Sequence, residues 1–151
     1  MKPHVYSEVT YINQSIEDVF DFFSKAENLN LLTPPFLKFK ILTPLPIKMG
    51  VGTFIDYKII LNGIPFKWKT KISKWEQNKV FVDEQIKGPY KVWIHEHKFE
   101  IVESGVKMTD TVQYQSPGWI LEPIINKLYI ESKVKEIFAY RKKVLLEQFK
   151  D

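Results

Sequence analysis

Residues 92–115 read VWIHEHKFEIVESGVKMTDTVQYQ. Trp93, His95, His97 and Phe99 fall at every second position, with Ile94, Glu96, Lys98 and Glu100 between them, which is the period of a strand. After Ser104 and Gly105 the alternation resumes, with Val106, Met108, Asp110, Val112 and Tyr114 opposed to Lys107, Thr109, Thr111 and Gln113. Two long strands joined by a short turn follow, and the aromatic side is the one that must be covered. Facing residues are expected to sum to about 208 or 209, which sets Phe99 against Thr109 or Asp110 and His97 across from or diagonal to Asp110.

The same reading extends toward the N-terminus. Strand-length runs occupy Lys38–Leu42, Thr53–Leu61, Ile64–Trp75 and Val80–Ile86, separated by turn residues, and Asn62-Gly63 is a strong hairpin signal. In Val80–Ile86, Phe81, Asp83 and Gln85 share a side. In Ile64–Trp75, Phe66, Trp68, Thr70 and Ile72 oppose Lys67, Lys69, Lys71 and Ser73. His4–Ile12 alternates as a further strand. It is followed by Ser15, a helix cap with a carboxylate three residues on, and by Ile16, Val19, Phe20 and Phe23 at helical spacing. A second helical turn over Glu27–Leu32 must stop before Pro34 and Pro35.

Beyond Pro117 and Gly118 no glycine occurs, and Pro123 sits where a first helical turn tolerates it. Val134, Ile137, Phe138, Arg141, Val144, Leu145 and Phe149 form one stripe of a helix of about 28 residues. Seven antiparallel strands and one amphipathic helix have few ways to bury both apolar faces. The simplest is an α+β domain over residues 1–151 whose curved sheet wraps the C-terminal helix, with two short helices after the first strand.

Composition narrows the function. The 151 residues include 11 Phe, 7 Tyr and 4 Trp, and no cysteine, which excludes disulfides, a thiolate nucleophile, a Cys-bound zinc and an iron–sulfur cluster. The formal charge is +4, but Arg141 is the only arginine and the lysines are scattered, so no nucleic-acid partner is expected. No apolar run of signal-peptide or membrane-spanning length is present; the expectation is a cytoplasmic chain without stable membrane insertion. Gly50 and Gly52 lack the third glycine of a dinucleotide loop, no phosphate-loop motif exists, and no cofactor is expected.

The order of elements resembles the helix-grip superfamily of START lipid-transfer domains, birch-pollen-allergen proteins and bacterial polyketide cyclases (the SRPBCC group). Local resemblance is greatest in residues 15–23 (SIEDVFDFF), in residues 81–90 with Trp93, His95, His97 and Phe99, and in residues 108–114 (MTDTVQY). It is similar to the bacterial ligand-binding or cyclase/dehydrase-like branch. The resemblance implies the helix-grip fold and a cavity between sheet and C-terminal helix that accepts a small hydrophobic or amphipathic molecule.

Sorting by strand face gives the expected lining: Phe20, Phe23, Phe54, Phe66, Trp68, Phe81, Trp93, Phe99, Met108, Tyr114, Ile137 and Phe138, with His95, His97 and Asp110 as the polar end. Polar groups on such a wall must pair with each other, with water or with a ligand. The three are also the candidate acid–base residues of an alternative reading, a cyclase/dehydratase acting on a polyketide-like or aromatic substrate. A third reading is a protein–protein module with no small ligand, marked by an outward apolar patch of Ile55, Tyr57, Ile59 and Leu61. Arg141 is expected to snorkel at the rim, the alternative being a crossing to Asp56, Asp83, Asp110 or an anionic ligand. His95 and His97 have the His-x-His spacing of a metal pair, but Ile101 and Val102 stand where the matching carboxylate belongs, so no metal is expected.

Overall fold

The Ser15 hydroxyl accepts the Asp18 backbone N–H at 3.1 Å and opens the first helix, in a computed structural model that describes residues 2–61, 63–118 and 121–150. This helix, α1 (Ile16–Phe23), buries Ile16, Val19, Phe20, Phe22 and Phe23, each contributing about 1.5–3 kcal/mol of apolar burial. A short α2 (Leu29–Leu32) ends at Thr33, which is extended ahead of Pro34, as the proline ring requires. Its hydroxyl returns to the Leu29 carbonyl at 2.7 Å.

The strands are β1 (His4–Ile12), β2 (Lys40–Ile41), β3 (Phe54–Leu61), β4 (Ile64–Glu76), β5 (Val80–Lys87), β6 (Val92–Val102) and β7 (Gly105–Gln115). They form one antiparallel sheet in the order β1-β7-β6-β5-β4-β3-β2, so the first strand closes onto the last. β2 is shorter than its apolar run because Lys38 turns into the left-handed region, φ 46°, just before it. Leu61 pairs with Ile64; Asn62 of the expected Asn62-Gly63 turn lies outside the described residues.

The β6–β7 register differs by one or two residues from the expected one. Val102 pairs with Gly105, so the turn is Glu103 and Ser104, Phe99 faces Met108, and His97 lies directly across from Asp110. Gly105 explains the offset: at φ +135° it joins the strand, and a Cβ there would run into the Ile12 carbonyl oxygen. Gly105→Ala is therefore expected to lower unfolding free energy by about 2–3 kcal/mol, from a forbidden φ and a backbone clash. Urea unfolding checks this; a loss below about 0.5 kcal/mol would contradict the turn geometry.

β4 carries a bulge at Ser73, between the Ile72↔Asp83 and Lys74↔Val82 pairs. The extra residue re-phases the strand, and Trp75 packs edge-on against Phe20 and beside Phe81. β3 is turned opposite to the orientation that would place Phe54 inside. Ile55 and Ile59 are buried and Tyr57 faces Trp68 across the strand pair, whereas Phe54 pairs with Lys71 outside, beneath the Lys69 and Lys71 ammonium groups. Cross-strand partners share a face, and β4's buried Trp68 and Thr70 fix which one. This removes Ile55, Tyr57, Ile59 and Leu61 as an outward apolar patch.

The C-terminal segment is not one regular helix. α3 (Glu122–Ile125) passes through a π turn at Asn126–Ile130 into α4 (Glu131–Gln148). The expected stripe holds on α4, where Val134, Phe138, Arg141 and Leu145 are buried. Its start is tied down by Glu122, which is fully buried: one carboxylate oxygen accepts from His4 Nε2 at 2.6 Å, the other from the Ser116 N–H at 2.9 Å and hydroxyl at 3.2 Å. Burial works to raise this carboxyl, but the bonds from His4 and Ser116 prevail and lower it. Two apolar clusters result, one between α1 and the sheet around Phe20, Phe99 and Met108, the other around Val112, Tyr114, Val134 and Phe138.

Candidate functional site

Between the two clusters, β5, β6 and β7 present Asp83, His95, His97 and Asp110 toward α4, which presents Arg141. Strand pairing sets His97 between Phe81 and Asp110, and His95 between Asp83 and Val112. The rings stack in a column: Phe81 on His97 at 4.0 Å and 12°, His97 on His95 at 3.7 Å and 29°, with Phe138 edge-on to His95 at 5.2 Å.

Hydrogen bonds fix the protons. Arg141 can only donate, so its Nη2 at 3.1 Å makes His97 Nδ1 an acceptor, and the ring's proton lies on Nε2, which donates to Asp83 Oδ2 at 2.7 Å. The same Nη2 donates to Asp110 Oδ1 at 3.4 Å, and His95 Nε2 donates to that oxygen at 2.8 Å. Burial pushes His95 down to about 4, so it is neutral near pH 7. For Asp110, burial acts to raise the carboxyl, but the Arg141 guanidinium and the bond from His95 overcome it and hold it well below the usual range. Asp83 shifts down too: the bond from His97 and the field of Arg141 outweigh its burial.

Arg141 is thus not at the rim. It is 7 % exposed and crosses to Asp110 and His97, with its guanidinium 5.3 Å from the Phe23 ring centre. Two carboxylates across the gap outweigh the preference of an arginine head for water.

Beside this network lies a cavity of about 140 Å³. Of the residues expected to line it, Phe23, Trp68, Phe81, Trp93, His95 and His97 do so from α1 and the sheet, and Ile137, Phe138 and Arg141 do so from α4. Phe20, Phe99, Met108 and Tyr114 are instead packed into the two clusters, and Asp110 lies behind the histidines. Phe54 is outside and Phe66, half-buried, is not on the wall. The sequence reading missed Tyr57, Thr70 and Tyr90 on the wall and underused Asp83. Tyr90 is held there by Gln85, whose amide donates to the Tyr90 carbonyl at 2.6 Å and accepts its N–H at 3.1 Å. Gly88 permits this, since a side chain there would collide with Gln85.

Asp83, His95 and His97 offer donor atoms within 4.8 Å of one another, the residue types of a divalent-metal triad. Asp83 is the carboxylate that the His-x-His spacing alone did not supply. In the arrangement seen, His97 Nε2 lies 2.7 Å from Asp83 Oδ2 as a hydrogen bond and His95 Nδ1 lies 3.9 Å from the same oxygen.

No family model matches the chain, and no curated protein matches it. Solved structures do. Protein CV1439 from Chromobacterium violaceum superposes with a TM-score of 0.75 at 12% identity, covering 99% of each chain. Ginseng major latex-like protein 151 from Panax ginseng gives 0.71 at 9% identity over 100% of both chains. Ara h 8.0201 gives 0.65 at 16% identity, covering 95% of this chain and 98% of that one. These likenesses show that the chain has the helix-grip fold. Among the described residues, no helix is long and apolar enough to cross a membrane.

Proposed function

We propose that the chain binds a small hydrophobic or amphipathic molecule in the cavity between its sheet and α4. The observation that carries this reading is a space of about 140 Å³ left open in a domain with 22 aromatic residues available to fill it. Protein interiors are close-packed, and an apolar cavity near 150 Å³ admits a benzene-sized body. Ile137 and Phe138 on one side and Trp68 and Trp93 on the other supply apolar contact, while Asp83 and His95 supply a polar end that fixes orientation. The helix-grip resemblance, which includes lipid-transfer domains, points the same way.

The test is binding of the neutral dye N-phenyl-1-naphthylamine, followed by its fluorescence, together with native mass spectrometry of freshly purified protein. Dye enhancement at micromolar protein, or a co-purified small mass, is expected. Ile137→Trp, which fills the cavity from the helix side, is expected to weaken dye binding at least about tenfold. Absence of both dye binding and a co-purified molecule would defeat the reading.

A further inference from the structure

We propose that the occupant is an organic cation: an apolar body carrying a protonated or quaternary nitrogen, seated between Asp83 and the rings of Tyr57, Trp68, Tyr90 and Trp93. This rests on the reading that the cavity takes a small molecule and adds the charge of that molecule.

The first observation is a count of charge. The buried network holds two carboxylates, Asp83 and Asp110, against one guanidinium, and the hydrogen-bond directions leave His97 with a single proton. With His95 also neutral, the cluster carries one net negative charge in a low-dielectric site. Arg141 is directed at Asp110 and His97, so the excess resides on Asp83. Asp83 is on the cavity wall with 19% of its side chain exposed, Oδ2 takes the His97 bond, and Oδ1 takes no protein hydrogen bond among the described residues. A carboxylate ligand placed there would meet this charge head-on. A nitrogen cation would neutralise it.

The second observation is the set of rings beside it. Tyr57 stacks on Trp68 at 5.6 Å, Trp68 meets Trp93 edge-on at 5.5 Å and Tyr90 at 5.7 Å, and Tyr90 lies 4.8 Å from Trp93. All four rings are on the cavity wall. Aromatic rings gathered on one wall attract a cation through the ring quadrupole, most strongly for indole, and more so when water is excluded. Asp83 reaches this group electrostatically: burial and its charge together hold the Tyr57 phenol well above its ordinary value. Lys25, the other cation on the wall, is exposed and lies 3.3 Å from Asp21.

The experiment compares three probes with the same one-ring body for displacement of N-phenyl-1-naphthylamine at pH 7.5: benzyltrimethylammonium, its neutral carbon isostere neopentylbenzene, and 4-phenylbutyrate. The cation is expected to bind at least about tenfold more tightly than the isostere, with the carboxylate weakest. Asp83→Asn should bring cation and isostere within about threefold of each other, and Tyr90→Leu should weaken the cation more than the isostere. Far-UV circular dichroism confirms that each variant is folded; the wild-type ratio decides the matter alone if one is not. An isostere or carboxylate that displaces dye as well as the cation, or a cation that displaces none, overturns the charge assignment. In those cases bound dye still supports the cavity reading, whereas failure of the dye together with no co-purified molecule removes both.

Discussion

Arg141→Met is expected to lower unfolding free energy by about 3–5 kcal/mol at pH 7. Met fills the volume of the arginine stem along Phe23, so the loss comes from charge and hydrogen bonding, not from a hole. Buried Asp110 and partly buried Asp83 then share a site without a cation, and His97 Nδ1 loses its donor. Lysine should not rescue the fold fully, because one ammonium lacks the planar fork that reaches His97 and Asp110 together. Two outcomes distinguish this from ordinary packing loss. The deficit of Arg141→Met should shrink as pH falls and one carboxylate takes a proton. Adding Asp110→Asn to Arg141→Met should recover part of the stability, because the removed charge no longer needs a partner. Urea unfolding of the two single variants and the double variant measures both. A strictly additive double, or a loss below about 1 kcal/mol, would contradict the network.

The contrast between β6–β7 and β3 explains what is legible in the sequence alone. In β6 and β7 one face is aromatic and aliphatic and the other charged, so alternation alone sorts Trp93, His95, His97 and Phe99 from Ile94, Glu96, Lys98 and Glu100. The capped α1 and the α4 stripe carry equally one-sided patterns. In residues 54–61, FIDYKIIL, both faces hold large apolar side chains, and only pairing with Trp68 and Thr70 decides which is inside. Phe54 lies on the outer face, opposite to the expectation, for that reason. Gly105, a backbone requirement with no apolar signature, shifted the hairpin register.

The site was legible to the extent that a face exposes its own inconsistency. His95, His97 and Asp110 stand out because they are polar in apolar company. Asp83 is harder to single out, since β5 is mixed on both sides, and its importance comes from lying across from His95 with His97 as its donor. Arg141 shows the limit of reading one element alone. A lone arginine on an apolar stripe belongs at the rim until the carboxylates on β5 and β7 are known to lie opposite it. Tyr90 sits in a loop, where period has no meaning, and reaches the wall only through the Gln85 amide.

Acidification supplies the second large effect. His95 titrates near 4 in the folded chain and near 6.5 when unfolded. Above pH 6.5 it is neutral in both states and contributes no slope. Between 6.5 and 4 the unfolded chain binds a proton that the folded chain refuses, so stability falls as pH falls, by about 2–4 kcal/mol across that window. Below it a different pair of groups takes over. Asp83 and Asp110 are both held below their ordinary range, so the stability they contribute is present above about pH 4 and is lost as pH drops through their folded values. Acid unfolding should therefore begin well above the ordinary carboxylate range. His95→Gln separates the two phases, because a Gln amide can still donate to Asp110 but does not titrate. Its stability should be nearly flat from pH 6.5 to 4.5 and then fall with the carboxylates, while the wild type declines throughout. Urea midpoints measured from pH 7.5 to 4 give both curves, and coincident profiles would show that burial of a neutral His95 is not what sets the acid limit of the fold.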